Sequence, residues 1–169
     1  MTSVEIIATG TEFIKKFRSY QPVMAEMLKN TNRSVHILNY MFGPESEGLW
    51  DMLWDILDKQ KHVTIVVHRL SEQDAGAKHS LQDLNNEFGG KNFKLAEFKK
   101  PDRGYLHAKV IVADWEKMII GSANLSAGGL RDNYEMGVLI KGTESLEVAK
   151  VIQQIAGNED LCTIVPPNK

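Results

Sequence analysis

The stretch "VTIVV", Val63 to Val67, constrains the fold of this chain most. A strand with one wet face alternates polar and apolar residues, whereas a run of this kind reads as a strand covered on both faces, and that requires a layered α/β arrangement. Upstream, "VHILNYMF" (Val35 to Phe42) reads as a second strand. Between the two, Leu49, Met52, Leu53, Ile56 and Leu57 fall at i, i+3, i+4, i+7 and i+8, the stripe of an amphipathic helix. Together they make a βαβ unit. Downstream, His79 to Phe88 carries Leu81, Leu84 and Phe88 on one helical face and stops at Gly89-Gly90, and "NFKLAEF" returns as a strand. A strand over Tyr134 to Ile140 and a helix from about Glu144 to Ala156 complete the pattern, the helix with Glu144 and Glu147 in its first turn. Before the unit, Glu12 to Lys29 is helical in composition but interrupted by Pro22, which predicts two short helices. Nothing repeats internally, and Pro166-Pro167 reads as loose tail.

At 169 residues and 43% hydrophobic content, the expectation is one domain over residues 1–169 with a packed core. The single Cys162 allows no internal disulfide and reads as inert, and no run approaches the ~20 apolar residues of a membrane span. "MTSVEIIATGTEF" lacks the charged start and apolar stretch of a signal peptide, so a cytoplasmic setting without a stable membrane anchor is expected. A net charge of −2 and a pI of about 6.2 provide no global positive field for a polyanion. Any phosphate site must be local.

Gly104 to Gly129 is where such a site is expected. In "YLHAKVIVAD", strand alternation sets His107 and Lys109 on one face and Leu106, Ala108, Val110 and Val112 on the other. "DWEK" is a short turn and "MII" runs back to Gly121, which predicts a β-hairpin. A loop with an even number of residues would set Lys109 opposite Ser122 and His107 opposite Asn124, gathering four polar groups on one patch; a one-residue register change would scatter them. That patch suits a phosphodiester. An imidazole is a nucleophile that needs no metal, Lys109 neutralises non-bridging oxygens, and the Ser122 hydroxyl and Asn124 amide donate further hydrogen bonds. No cofactor and no metal are expected, since Lys109 sits where a metal ligand would be wanted. Asp114 lies about 23 Å along the strand from His107, so its expected task is structural support: fixing the turn by bonding backbone amides or pairing with a base. Glu135, opening the next strand, is placed to accept the Nδ1 proton of His107 and leave Nε2 free to attack.

The series His107-x-Lys109-x4-Asp114-x6-Gly121-Ser122-x-Asn124, followed by Asn133-x-Glu135, resembles the HKD signature of the phospholipase D superfamily. With the strand-helix-strand entry, the likeness covers roughly residues 33–157. It implies an α/β fold in which a mixed β-sheet is flanked by helices on both faces. It also implies that His107 is nucleophile or general acid, that Lys109, Ser122 and Asn124 bind phosphate, and that Glu135 orients the histidine. That family's site uses two signatures, yet none of His36, His62, His68 and His79 has a lysine two residues on. Small single-signature members resembling this chain build one site across a twofold axis, so the resemblance implies a homodimer and two inline displacements through a phosphohistidine.

The basic residues Lys91, Lys94, Lys99, Lys100 and Arg103 lead into His107. Lys99, Lys100 and Arg103 are accordingly read as substrate-binding, a basic rim for a polyanionic backbone. Trp50 and Trp54, at i and i+4, read as core or dimer interface ahead of a base-stacking platform. The favoured substrate is nucleic acid, DNA or RNA, because resembling small proteins include nucleases. Phospholipid is the runner-up, with Met41-Phe42 and the Trp50/Trp54 pair as an apolar rim. The third reading is a non-catalytic nucleic-acid-binding module, or a targeting domain of a larger restriction or helicase system.

Overall fold

The computed structural model of the chain describes residues 1–44, 46, 48–99 and 104–168. Strands β1 (Ser3–Ala8) and β2 (Arg18–Ser19) precede α1 (Tyr20–Lys29). The βαβ unit follows as β3 (Ser34–Asn39), α2 (Leu49–Asp58) and β4 (His62–His68), then α3 (Ala75–Phe88) and β5 (Phe93–Phe98). The hairpin β6 (Lys109–Ala113) and β7 (Lys117–Gly121), β8 (Met136–Lys141), α4 (Glu144–Gly157) and β9 (Cys162–Ile164) complete the chain. The nine strands among the described residues form one sheet in the order β2-β1-β8-β7-β6-β3-β4-β5-β9. β3, β4 and β5 run parallel, and β6, β7 and β8 are antiparallel to their neighbours, so the sheet is mixed.

Strand alternation divides the core between the two faces. Ile37, Ile65, Leu95, Ile111 and Ile119 pack with the apolar stripes of α1, α2 and α3, including Met24, Leu53 and Leu81. Leu38, Val66, Ala96, Val110 and Val112 pack with Ala149, Ile152 and Ala156 of α4. The run Val63 to Val67 is therefore buried on both faces, as its composition demands. Truncating Leu53 or Ile65 to Ala would remove contacts worth about 2–5 kcal/mol.

Several boundaries differ from those expected. The two short helices before Lys29 are one, α1, with Pro22 in its first turn, where a proline's missing N–H costs nothing. The residues ahead of it fold as β1, a turn and β2, because β1 has a partner in β8 that lies more than a hundred residues away. α3 starts before His79: the Asp74 carboxylate accepts from the amides of Gly76 (2.8 Å) and Ala77 (3.4 Å) and caps it there. A strand not expected from sequence, β9, pairs with β5 just before the tail, and the Val165 amide donates to the Leu95 carbonyl at 2.9 Å; Pro166 and Pro167 lie exposed beyond it, outside any strand or helix. Cys162 is buried in β9, and burial pushes its thiol up to about 11.

The largest correction is the hairpin register. Ala113 pairs with Lys117 and Val110 with Ile120, leaving a three-residue loop in place of an even-numbered one. Asp114 (φ 55°) and Trp115 (φ 63°) both take left-handed conformations, and these two turns of backbone reverse the chain in an odd number of residues. Lys109 is thus level with Gly121, and the pairings of Lys109 with Ser122 and His107 with Asn124 are wrong by one residue. β6 also begins only at Lys109, so His107 precedes the strand. The Asp114 carboxylate accepts from the amides of Arg33 (2.7 Å), Asn32 (2.8 Å) and Ser34 (3.1 Å), which ties the loop to the entry of β3.

Candidate active site

The polar groups collect at the carboxyl ends of β3 and β4, where open α/β sheets bind their ligands. Lys109 is only 6% exposed. Its ammonium lies 3.0 Å from His107 Nδ1, donates to the His107 carbonyl at 2.6 Å, and sits 5.3 Å from the centre of the Tyr40 ring. Burial lowers the Lys109 pKa, and the charge of Glu135 opposes that shift. The His107 ring is exposed and lies 4.8 Å, centre to centre, from Tyr40. An ammonium has only protons to give, so Nδ1 accepts here and the ring proton sits on Nε2. This is the tautomer opposite to the one that attacks through Nε2.

A second set forms at the adjoining ends of β7 and β8. A Cβ on Gly121 would stand 2.6 Å from the Met136 carbonyl oxygen, so glycine is what lets these strands close up and brings Ser122 to β8. The Ser122 hydroxyl donates to the Glu135 carboxylate in a short bond, and the Met136 amide donates to Ser122 Oγ at 3.3 Å. Asn133 Nδ2 donates to the other Glu135 oxygen at 3.4 Å. The Asn124 backbone packs against Gly129, where a Cβ would lie 2.3 Å from the Asn124 carbonyl oxygen. Among the described residues, Asn124 Oδ1 is buried without a hydrogen-bond partner.

The structure therefore brings His107 to Lys109 and Ser122 to Glu135, but it does not bring Glu135 to His107 within this chain. Asp114 lies at the opposite end of the sheet. The basic cluster is split: Lys94, level with Thr64 and His36, lies with Lys91 toward the hairpin loop, away from His107. Lys99 follows β5 at the His107 end, with its ammonium 3.3 Å from a Glu97 oxygen. Lys100 and Arg103 lie outside the described residues. Of the residues offered as an apolar rim, Phe42 is buried and Trp50 packs on the core with its indole donating to the Pro44 carbonyl at 3.1 Å. Trp54 is exposed and meets Phe88 edge-on at 5.0 Å.

Three residues of the site were missed from sequence. Tyr40 touches both His107 and Lys109; its signal was its position just past the carboxyl end of β3, a parallel strand. Gln73 holds Tyr40 in place, donating to the Tyr40 carbonyl at 3.0 Å and the His68 carbonyl at 2.6 Å while accepting from the Phe42 amide at 2.9 Å. Thr9 donates to the Asn133 carbonyl at 2.8 Å and accepts from the Glu135 amide at 3.2 Å. It lies 126 positions from Glu135, and no local pattern announces it. Beside Tyr40, the rings of His68 and Tyr105 complete an aromatic group, 5.2 Å from Tyr40 to His68 and 5.3 Å from His68 to Tyr105. Burial lowers the pKa of His68 against the opposing charge of Glu72.

The described chain is thus a mixed sheet packed with helices on its two faces, with a histidine-lysine pair and a serine-carboxylate pair at one end. Residues 24–158 match the family described as cardiolipin synthase, PLD-like domain, and the chain belongs to the phospholipase D superfamily. The fold is similar to NucT from Helicobacter pylori (TM-score 0.73, 16% identity, 98% of this chain and 100% of that one). It is similar also to Nuc, a phospholipase D family member from Salmonella typhimurium (TM-score 0.72, 15% identity, 98% and 99%). A third likeness is to phosphatidylserine synthase from Haemophilus influenzae (TM-score 0.71, 17% identity, 98% and 40%). In sequence, the chain is 28% identical over 163 residues to the DISARM protein DrmC of Bacillus paralicheniformis, covering 93% of this chain and 65% of that protein's length. No helix among the described residues is long and apolar enough to cross a membrane.

Proposed function

We propose that the chain is a metal-independent phosphodiesterase, a nuclease, whose site is completed by a second copy of itself. The observation that carries this reading is the state of His107: its Nδ1 is held by Lys109, while the carboxylate suited to orient an imidazole, Glu135, faces Ser122. Across a twofold axis, Glu135 of each copy serves the partner's His107 and draws the ring proton to Nδ1. His107 Nε2 then attacks phosphorus to form a P–N bond, and the leaving oxygen takes the Nε2 proton of the partner's His107, which enters the reaction as the imidazolium and leaves this step neutral. That second histidine next removes a proton from water, whose oxygen displaces His107 and releases the product phosphate. Lys109, Ser122 and Asn124 hold the non-bridging oxygens throughout. The exposed side chains of Ile6, Ile120 and Met136 support a second copy at this place, because they form an apolar strip that begins beside Ser122.

Nucleic acid is favoured by the aromatic group beside His107. Tyr105 is 66% exposed, with Tyr40 and His68 behind it and the Arg69 guanidinium 6.0 Å from its ring centre, an arrangement on which unpaired bases stack. The phospholipid reading loses Phe42 and Trp50 as a rim, and the likeness to a phosphatidylserine synthase is one of fold. The binding-module reading draws on the similarity to a DISARM protein, of which this chain spans 65%. Purified protein incubated with single-stranded DNA, duplex DNA, RNA and phosphatidylcholine in EDTA separates these. Cleavage of nucleic acid that survives EDTA and is lost in His107→Ala is expected. Hydrolysis of the lipid alone, or equal activity in His107→Ala, would overturn the assignment.

A further inference from the structure

A second polar cavity lies at the other end of the sheet, on the face covered by α4. Across β6, β3, β4 and β5 the deeper row on this face is apolar: Val110, Leu38, Val66 and Ala96. Toward the hairpin loop the same face turns polar, with His36 level with Thr64 and Lys94, and Ser34 level with His62. These residues line an open cavity of about 480 Å³, together with Trp115 and with Gln153 of α4. Such a volume is that of a small-ligand site.

Two polar atoms buried in its wall are left unsatisfied. Ser34 is 4% exposed and His36 2% exposed, and neither Ser34 Oγ nor His36 Nδ1 has a hydrogen-bond partner among the described residues. Buried polar atoms without partners are costly to a fold, so each calls for a reason, and a bound polar group supplies one. The tautomer of His36 says what. Trp115 Nε1 donates to His36 Nε2 at 2.9 Å, so in the neutral ring the proton is on Nδ1, a donor without a partner among the described residues. Burial, with the nearby charge of His62, pushes His36 down to about 4 and keeps it neutral at pH 7. Around these donors stand the cations Arg33, Lys91 and Lys94 and the His62 ring, and no acidic side chain lines the cavity among the described residues. Beside the lining, the Asp114 carboxylate is occupied by three backbone amides, and Glu87 lies 3.6 Å from the Lys91 ammonium, which leaves Arg33 and Lys94 as the cations of the rim that no carboxylate meets at this distance among the described residues.

From this placement we infer that the cavity binds a nucleoside monophosphate: Ser34 and His36 donate to its phosphate, the basic rim neutralises it, and the exposed edge of Trp115 receives the base. Trp115 is 39% exposed, and its ring lies nearly parallel to His36 (17°), with the centres 6.5 Å apart. An aromatic wall beside a cationic pocket matches a ligand that is planar at one end and anionic at the other. The site stands apart from His107: its residues project from the opposite face to Lys109, beyond the other end of β3. A nucleotide held here would act as an effector or as a tether for a polynucleotide end, and it takes no part in hydrolysis.

Indole N–H resonances of the full chain, with Trp115 assigned by Trp115→Phe, report occupancy directly. Adenosine 5′-monophosphate should shift the Trp115 indole saturably and bind at least tenfold more tightly than inorganic phosphate or adenosine. Lys91→Ala combined with Lys94→Ala, both exposed and distant from the core, should weaken it tenfold or more, while His107→Ala leaves it unchanged. An unmoved Trp115 resonance would overturn the assignment. So would inorganic phosphate or adenosine matching the nucleotide, undiminished binding in the double variant, or loss of the response in His107→Ala, which would relocate the ligand to the other site.

Discussion

Lys109 and His107 are two residues apart and share a hydrogen bond at 3.0 Å, a contact that fixes the imidazole in the tautomer that can give a proton from Nε2 and cannot attack through it. Converting it into a nucleophile needs an acceptor at Nδ1. In the proposed mechanism the partner copy's Glu135 is that acceptor, and Glu135→Gln keeps an acceptor for Ser122 while removing the charge. Turnover in Glu135→Gln should fall on the order of 10²-fold or more, by analogy with other oriented histidines, with the midpoint of thermal unfolding nearly unchanged. Equal kcat in the two proteins would remove Glu135 from the mechanism. His36 makes a separate prediction. Its folded pKa is depressed to about 4 by burial, so between that value and the 6.5 of the unfolded chain the unfolded state binds the extra proton. Stability is therefore unaffected by this group above 6.5, and it falls as the pH drops from 6.5 toward 4. Urea unfolding at pH 7, 5.5 and 4.5 should show that loss in the wild type and a shallower one in His36→Gln; superimposable curves would contradict it.

Among the elements, the hairpin explains both what was legible and what was not. The signature residues, the βαβ unit and the two-faced burial of β4 were all readable, because periodicity is a local property of the chain. Register was not, since it hangs on two residues, Asp114 and Trp115, adopting left-handed conformations that neither strongly prefers. What holds them is tertiary: the Asp114 carboxylate on the amides of residues 32–34, and the Trp115 indole on His36. Asp114→Ala should cost on the order of 2 kcal/mol, the scale of hydrogen bonds to a charged acceptor. Denaturant titration would show that loss, and turnover per folded molecule should stay close to wild type. Abolished turnover in a normally stable protein would place Asp114 in the chemistry after all. β1, β9 and Thr9 were illegible for a related reason: each is defined by a partner far away in sequence, β8, β5 and Glu135 respectively.

For the molecule as a whole, the proposed two-step phosphoryl transfer calls for a second histidine and an Nδ1 acceptor that one chain does not bring to its own His107. The chain carries one His-x-Lys and one carboxylate turned away from its own histidine, with an apolar strip exposed beside Ser122. A twofold axis through that strip would supply the second histidine and the missing Nδ1 acceptor together, which is why the incomplete geometry of one chain argues for a shared site. Two histidines facing one phosphate cannot both be the nucleophile, so only one can carry the phosphoryl group in any turnover. Rapid quench of the assembled protein with a radiolabelled phosphodiester, followed by counting label per chain, measures this directly. We predict an acid-labile, alkali-stable label on one chain in two, on a species of twice the 19.0 kDa chain mass, and none in His107→Ala. One label on every chain, label on an active monomer, or label that persists in His107→Ala would contradict a phosphohistidine formed at a site that two copies share.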